Sequence, residues 1–230
     1  MTRCLLAVCL TALLLNPLQA QDTKTKAKGS GTKSAAGSQK KGSDSKNTAA
    51  VKTRVLKVEK KDRAGKVIST LQLTVPTTWK DIPLTAMQKR MGIRAATAHI
   101  PSAKGDKEKG EFTVTLLKSQ MINENVDRWV KQFQSDGRKQ KITKGQTAKK
   151  QDYYFVEVSG TFKKPDGPPM ARKTKDAPGF RMLAVILPVK GQGMYFLKLT
   201  GPDKTVMAQT KAMRQTIGGN LKTEKDYKLK

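Results

Sequence analysis

The stretch FRMLAVILPV, residues 180–189, is nearly apolar on both faces of an extended chain. A strand of that kind belongs in the middle of a sheet that is covered on two sides. GMYFLKLTG (193–201) follows within a few residues, and the VKGQG between them reads as a hairpin connection. The rest of the fold has to be arranged around this pair.

Other runs carry the two-residue period of strands. KVISTLQLTVP (66–76) places Val67, Leu71, Leu73 and Val75 broadly on one face and stops at Pro76. EFTVTLLK (111–118) turns Phe112, Val114 and Leu116 to one side, and YYFVEVSGTF (153–162) is a long aromatic and β-branched strand. GIRAATAHIP (92–101) is a β-compatible run that closes at Pro101. Between strands, PSAKGDKEKGE (101–111) and KKPDGPPMARKTKDAPG (163–179) read as long polar loops, the second as a mobile basic flap.

Two helices interrupt the strands. The first is expected over 123–136, with Val126, Trp129, Val130 and Phe133 at the spacing of one apolar face. Asn123 or Asn125 suits its start and Gly137 its end, and Glu124–Arg128 and Asp127–Lys131 form opposite-charge pairs on the wet side. On this stripe Trp129, Val126 and Phe133 are structural anchors buried against the sheet, not an exposed binding platform. The second helix is expected over 202–217, opened by Pro202 and Asp203, striped by Val206, Met213 and Ile217, and stopped by Gly218 and Gly219.

The order of these elements, with VPTTW at 75–79, IRAATAHIP at 93–101, NENVDRWVKQF at 123–133 and GPDKTV at 201–206, resembles the PsbP-type photosystem subunits and the Ran-binding Mog family. In its N-x-x-R-W helix it is more similar to uncharacterised secreted bacterial proteins of that fold. The likeness spans about residues 60–220. It implies an α+β fold, an antiparallel β-sheet flanked by helices in an α/β/α sandwich, used as a non-catalytic docking module. The photosynthetic and GTPase-binding roles do not carry over, because the binding residues find no one-to-one match.

The first twenty residues, MTRCLLAVCLTALLLNPLQA, have the layout of a secretory signal peptide: Arg3, an apolar core over Leu5–Leu15, and a small residue before Gln21. Cleavage is expected after Ala20, leaving no later stretch long enough to span a membrane. Cys4 and Cys9 both lie in this segment, so the mature chain has neither disulfides nor a cysteine metal site. Residues 21–50 hold seven lysines against Asp22 and Asp44 and no aromatic or large aliphatic residue, which predicts a disordered basic linker. Residues 51–230 are then a single domain, secreted or periplasmic.

Charge is the strongest functional signal. The chain carries 46 basic and 18 acidic residues, and losing Arg3 leaves 45 against 18, a net +27. Such an excess attracts polyanions. The candidate polyanion contacts are Lys139, Lys141, Lys144, Lys149, Lys150, Lys163, Lys164, Arg172, Lys173 and Lys175; Lys57, Lys60, Lys61 and Arg63 form a further basic group. Aromatic residues are only 5% and mostly at core-like positions, which disfavours stacking on bases and favours an extracytoplasmic polyanion over DNA.

Catalytic and metal-binding patterns are weak. His99 is the only histidine and reads as structural or solvated. Asp106, Glu108 and Glu111 are interleaved with Lys107 and Lys109, which oppose cation binding. The sequence contains no G-x-S-x-G elbow, phosphate loop or dinucleotide fingerprint, and Asp203 already places negative charge at the start of GPDKTV. An enzyme would need Asp152 or Glu157 to converge with His99. The reading is therefore an exported, non-catalytic binding or adaptor protein without cofactor or metal. Its partner is a protein or an anionic envelope component; the alternative is a sequence-independent binder of nucleic acid or acidic polysaccharide, with a hydrolase less favoured.

Overall fold

The computed structural model describes residues 51–61, 64–91, 94–117, 121–167 and 173–229. The expected signal peptide and linker, together with Arg63 and Arg172, lie outside the described residues. Strand β8 (Thr174–Val189) runs through the middle of an eight-stranded antiparallel sheet. Its residues Met182 to Leu187 are each at most 2% exposed, odd positions on one face and even positions on the other. It pairs with β7 (Asp152–Pro165) and β9 (Gly193–Pro202). Beyond β9 come β5 (Gly110–Leu117), β4 (Arg94–Ile100) and the two-residue β3 (Lys80–Asp81); beyond β7 come β6 (Lys139–Thr147) and β10 (Gly219–Asp226).

The two faces are covered differently. On the first, a separate hairpin of β1 (Thr53–Lys61) and β2 (Val67–Pro76) lays Val58, Leu73 and Val75 onto Phe112, Phe155, Leu183, Val185 and Leu197. Trp79 is tilted against Phe112 with ring centres 4.8 Å apart, and its indole N–H donates to Gln209 Oε1 at 3.1 Å. Two short helices, α3 (Asp203–Met207) and α4 (Thr210–Gln215), add Val206 and Met213. On the second face one helix, α2 (Ile122–Val130), presses Val126, Trp129 and Val130 onto Val156, Val158, Met182, Ala184, Ile186 and Phe196. Trp129 is 5% exposed and meets Phe196 edge-on at 5.9 Å. A further short helix, α1 (Ala86–Met91), precedes β4.

The expected helix-flanked α/β/α sandwich is therefore incorrect. Of the described residues 56% are strand and 15% helix, and the helices are four short ones. Three local causes account for this. The lysine-rich RVLKVEKK hides a strand whose Leu56 and Val58 point inward while Val55, Lys57 and Glu59 face solvent, so a hairpin provides much of one cover. The expected helix over 202–217 breaks in two at Gln209 (φ −95°, ψ 3°), the residue that Trp79 engages. The expected helix over 123–136 stops at Val130, because Phe133 leaves it to bridge Phe162, with Gln134 N–H donating to Thr161 O at 2.8 Å. The expected loop over 163–179 is likewise corrected at both ends. β7 and β8 stay paired as a ribbon out to Pro165 and Thr174.

The β10–β6 edge of the sheet closes around one buried carboxylate. Glu224, its side chain 5% exposed, accepts from Arg214 at 2.6 and 2.9 Å, from Tyr153 Oη at 2.7 Å and from Thr143 Oγ1 at 2.9 Å. Arg214 lies over the Phe155 ring at 3.8 Å. Gly145 sits beneath, where a Cβ would come within 2.9 Å of Glu224 Cγ and the Tyr153 ring, so no larger residue fits without a shift. Burial pushes the Glu224 carboxyl up, but the hydrogen bonds from Arg214, Tyr153 and Thr143 outweigh it and hold the group below its ordinary value. Burial and the bond to Glu224 push the Tyr153 phenol up.

A carboxylate whose folded pKa lies below its unfolded one stabilises above the unfolded value, and that contribution is lost as pH falls through the folded one. Glu224→Gln leaves Arg214 buried without its counter-charge and is expected to cost about 3 kcal/mol at neutral pH. Urea unfolding at neutral pH and in the acid range checks both parts: the stability of the variant should fall less steeply with acidification than that of the parent.

Candidate functional site

The basic residues singled out by sequence do not form one patch. On β6, Lys139 and Lys141 alternate with Gln140 and face the same side as Thr143, the hairpin side. Lys144 faces the opposite side beside Tyr154, and Asp152 neutralises it at 2.7 Å. That hydrogen bond raises the Lys144 ammonium despite burial, and together with Gln146 it lowers Asp152. Lys149 and Lys150 occupy the β6–β7 turn, with Lys150 in the left-handed region at φ 58°. At about 3.3 Å per residue, this turn lies roughly 30 Å from Lys139 along the strand.

The ribbon emerges at the Lys139 end, since Lys139 pairs with Ser159 and β7 continues to Pro165. Lys163 stands opposite Asp176, and Lys164 opposite Lys175. That like-charge pair is relieved by Glu108, which binds the Lys164 ammonium. Lys173 closes the described part of the ribbon, its carbonyl accepting from Asp166 N–H at 2.9 Å. Among the described residues Lys139, Lys141, Lys163, Lys173 and Lys175 take part in no ion pair.

Lys139 and Lys141 line an open depression of about 230 Å³ with Glu157, Ser159 and Arg181. Arg181 is held between Glu157 and Asp203, the latter at 2.9 Å, so it orders the floor while the two lysines remain unpaired. Arg181 is the residue that sequence reasoning missed here; the signal was its place as the one charge in the otherwise apolar FRMLAVILPV.

Other candidates come apart in three dimensions. His99 is exposed on β4, while Asp152 and Glu157 are on β7, with β8, β9 and β5 between them. The acidic trio disperses too. Asp106 accepts from Thr205 N–H at 2.9 Å and Thr205 Oγ1 at 2.6 Å, Glu108 binds Lys164, and Glu111 meets Arg94 at 3.8 Å. The carboxylate of Asp106 thus fills the start of α3. Among the described residues no group of three or more His, Cys, Asp or Glu side chains is placed to hold a metal, and no helix is long and apolar enough to cross a membrane. On α2, Lys131 pairs with Asp127 at 2.6 Å, whereas Arg128 donates to Asn125 Oδ1 at 2.6 Å rather than pairing with Glu124.

The depression separates binding from stability. Replacing both Lys139 and Lys141 by Gln should change unfolding free energy by less than about 0.5 kcal/mol, because both are exposed and unpaired. Arg181→Met, which leaves Glu157 and Asp203 without their cation, should cost about 2 kcal/mol. Chemical denaturation of the two variants reads the contrast.

No protein-family model and no curated protein matches the chain. Among solved structures the chain is similar to the solution structure of a cyanobacterial PsbP (CyanoP) from Synechocystis sp. PCC 6803, with 11% sequence identity and a TM-score of 0.39, over 79% of this chain and 96% of that one. That structural likeness to PsbP is a distant one.

Proposed function

We propose that the chain is an exported, non-catalytic docking protein that holds an anionic polymer of the cell envelope through the Lys139–Lys141 depression and the adjoining lysine ribbon. The observation that carries this reading is the set of unpaired ammonium groups at one end of the sheet, Lys139, Lys141, Lys163, Lys173 and Lys175, beside a floor already neutralised by Glu157, Arg181 and Asp203. Exposed lysines of this kind interact as mobile point charges and match a flexible, repeating anion better than a single shaped ligand. The dispersal of His99, Asp152 and Glu157 supports a binding role over a hydrolytic one. The lysine-rich segment over 21–50 would add a second, sequence-blind contact.

Retention on an immobilised acidic polysaccharide tests the assignment. Affinity should fall steeply as salt rises from about 50 to about 200 mM. Replacing Lys139, Lys141, Lys163 and Lys175 by Gln should reduce the slope of log K against log salt by about 3. Binding that ignores ionic strength, or a fourfold variant with an unchanged slope, would overturn it. A chain lacking residues 21–50 that loses all retention would move the function from the domain to the linker.

A further inference from the structure

The second face of the sheet is polar where α2 does not cover it. Three cross-strand rows show this: Thr97–Thr113–Lys198, His99–Glu111–Thr200 and Arg94–Thr115–Phe196. Lys198 is the unusual member. It lies between Phe196 and Thr200 on the inward register of a central strand, and its ammonium has one long contact, 3.4 Å to Gln132 Oε1. It forms no ion pair among the described residues; the nearest carboxylate in register, Glu111, is engaged by Arg94 at 3.8 Å. Arg128, in the last turn of α2, adds a third positive charge near Lys198. Burial first, then the positive charge of Arg94, push the Lys198 ammonium below its ordinary value, with Arg128 adding to this and Glu111 opposing it. On these rows the hydroxyls of Thr97 and Thr200 are buried without a hydrogen-bond partner.

The geometry points to a discrete phosphoryl-binding site formed by Lys198, Arg94 and Arg128, separate from the lysine depression at the β6 end. The charge count selects the ligand. Three cations against Glu111 leave a net of two positive charges, which a phosphate group with its charge of about −1.5 to −2 at neutral pH balances. A carboxylate would balance only half. Arg94 and Lys198 stand on the two strands that flank β5, and Arg128 on α2, so the charged donors come from three separate elements. The group can come as free phosphate or as a monoester on a larger molecule.

Two titrations of the full chain, with inorganic phosphate and with glucose 6-phosphate, distinguish these sources, followed by NMR of the Lys198 side chain labelled at Cε. Both are expected to shift that signal saturably and to raise its titration midpoint, an effect that diffuse binding to surface lysines would not produce. Tighter binding of the sugar phosphate assigns a monoester, and equal binding assigns the free ion. Lys198→Met keeps the length and removes a buried charge, so it should fold; phosphate affinity, measured calorimetrically, should drop roughly tenfold or more. Arg128→Gln, on the exposed flank of the helix, should weaken binding in the same direction, whereas Lys149→Gln with Lys150→Gln should not. A Lys198 signal that neither anion moves, or affinities that survive both Lys198→Met and Arg128→Gln, would overturn the site.

Discussion

Burial of β8 on both faces is the constraint from which the other features follow. A strand with no wet side needs neighbours in its sheet and a cover above and below. The hairpin, Trp79 and the two short helices make a broad cover on one side, continuous from Phe112 to Phe155. The other cover is α2 with Phe133, Tyr227 and Leu229 beside it. A nine-residue helix is about 14 Å long, whereas eight strands at 4.8 Å spacing span about 34 Å. The buried cluster on this face draws on β6 to β9, and β5 and β4 carry Thr97, Thr113 and Thr115 where the opposite face carries Ala98, Phe112 and Val114. The polar rows around Lys198 begin where that cluster ends, at Phe196.

The same mismatch explains which parts were legible in the sequence. β8, β9, β5 and β7 carry their inward residues as Val, Ile, Leu and aromatics, and such strands stand out by their period. β6 does not: in KQKITKGQT the buried positions are Ile142, Thr143, Gly145 and Thr147, so only one is a large apolar residue. β10 is hidden similarly, because its most buried side chain is Glu224 rather than a hydrocarbon. Helices were over-read for the converse reason. Val206, Met213 and Ile217 do keep helical spacing, yet periodicity carries no record of the Trp79–Gln209 bond that divides the segment.

For the basic residues the difficulty is one of distance. Lys141, Lys144 and Lys149 are near neighbours in the chain, but strand pleating sends Lys141 and Lys144 to opposite faces and carries Lys149 into the far turn. Lys139 and the ribbon lysines, twenty and more residues apart, instead meet at one end because Ser159 pairs with Lys139. Linear clustering of charge therefore identified the residue type without identifying the surface.

Glu224 and Lys198 are two partly buried ions handled in opposite ways. Glu224 has a counter-ion and two hydroxyl donors, and these overcome the effect of burial on its ionisation. Lys198 has an amide oxygen at 3.4 Å and two cationic neighbours, and only Glu111, itself engaged by Arg94, opposes them. A lysine whose folded pKa lies below its unfolded value lowers stability while it is protonated, and recovers that loss only as pH rises through the two values. While protonated, Lys198 is therefore a destabilising charge that a methionine of similar length would remove. An anion seated against Lys198, Arg94 and Arg128 would oppose that effect and stabilise the folded chain.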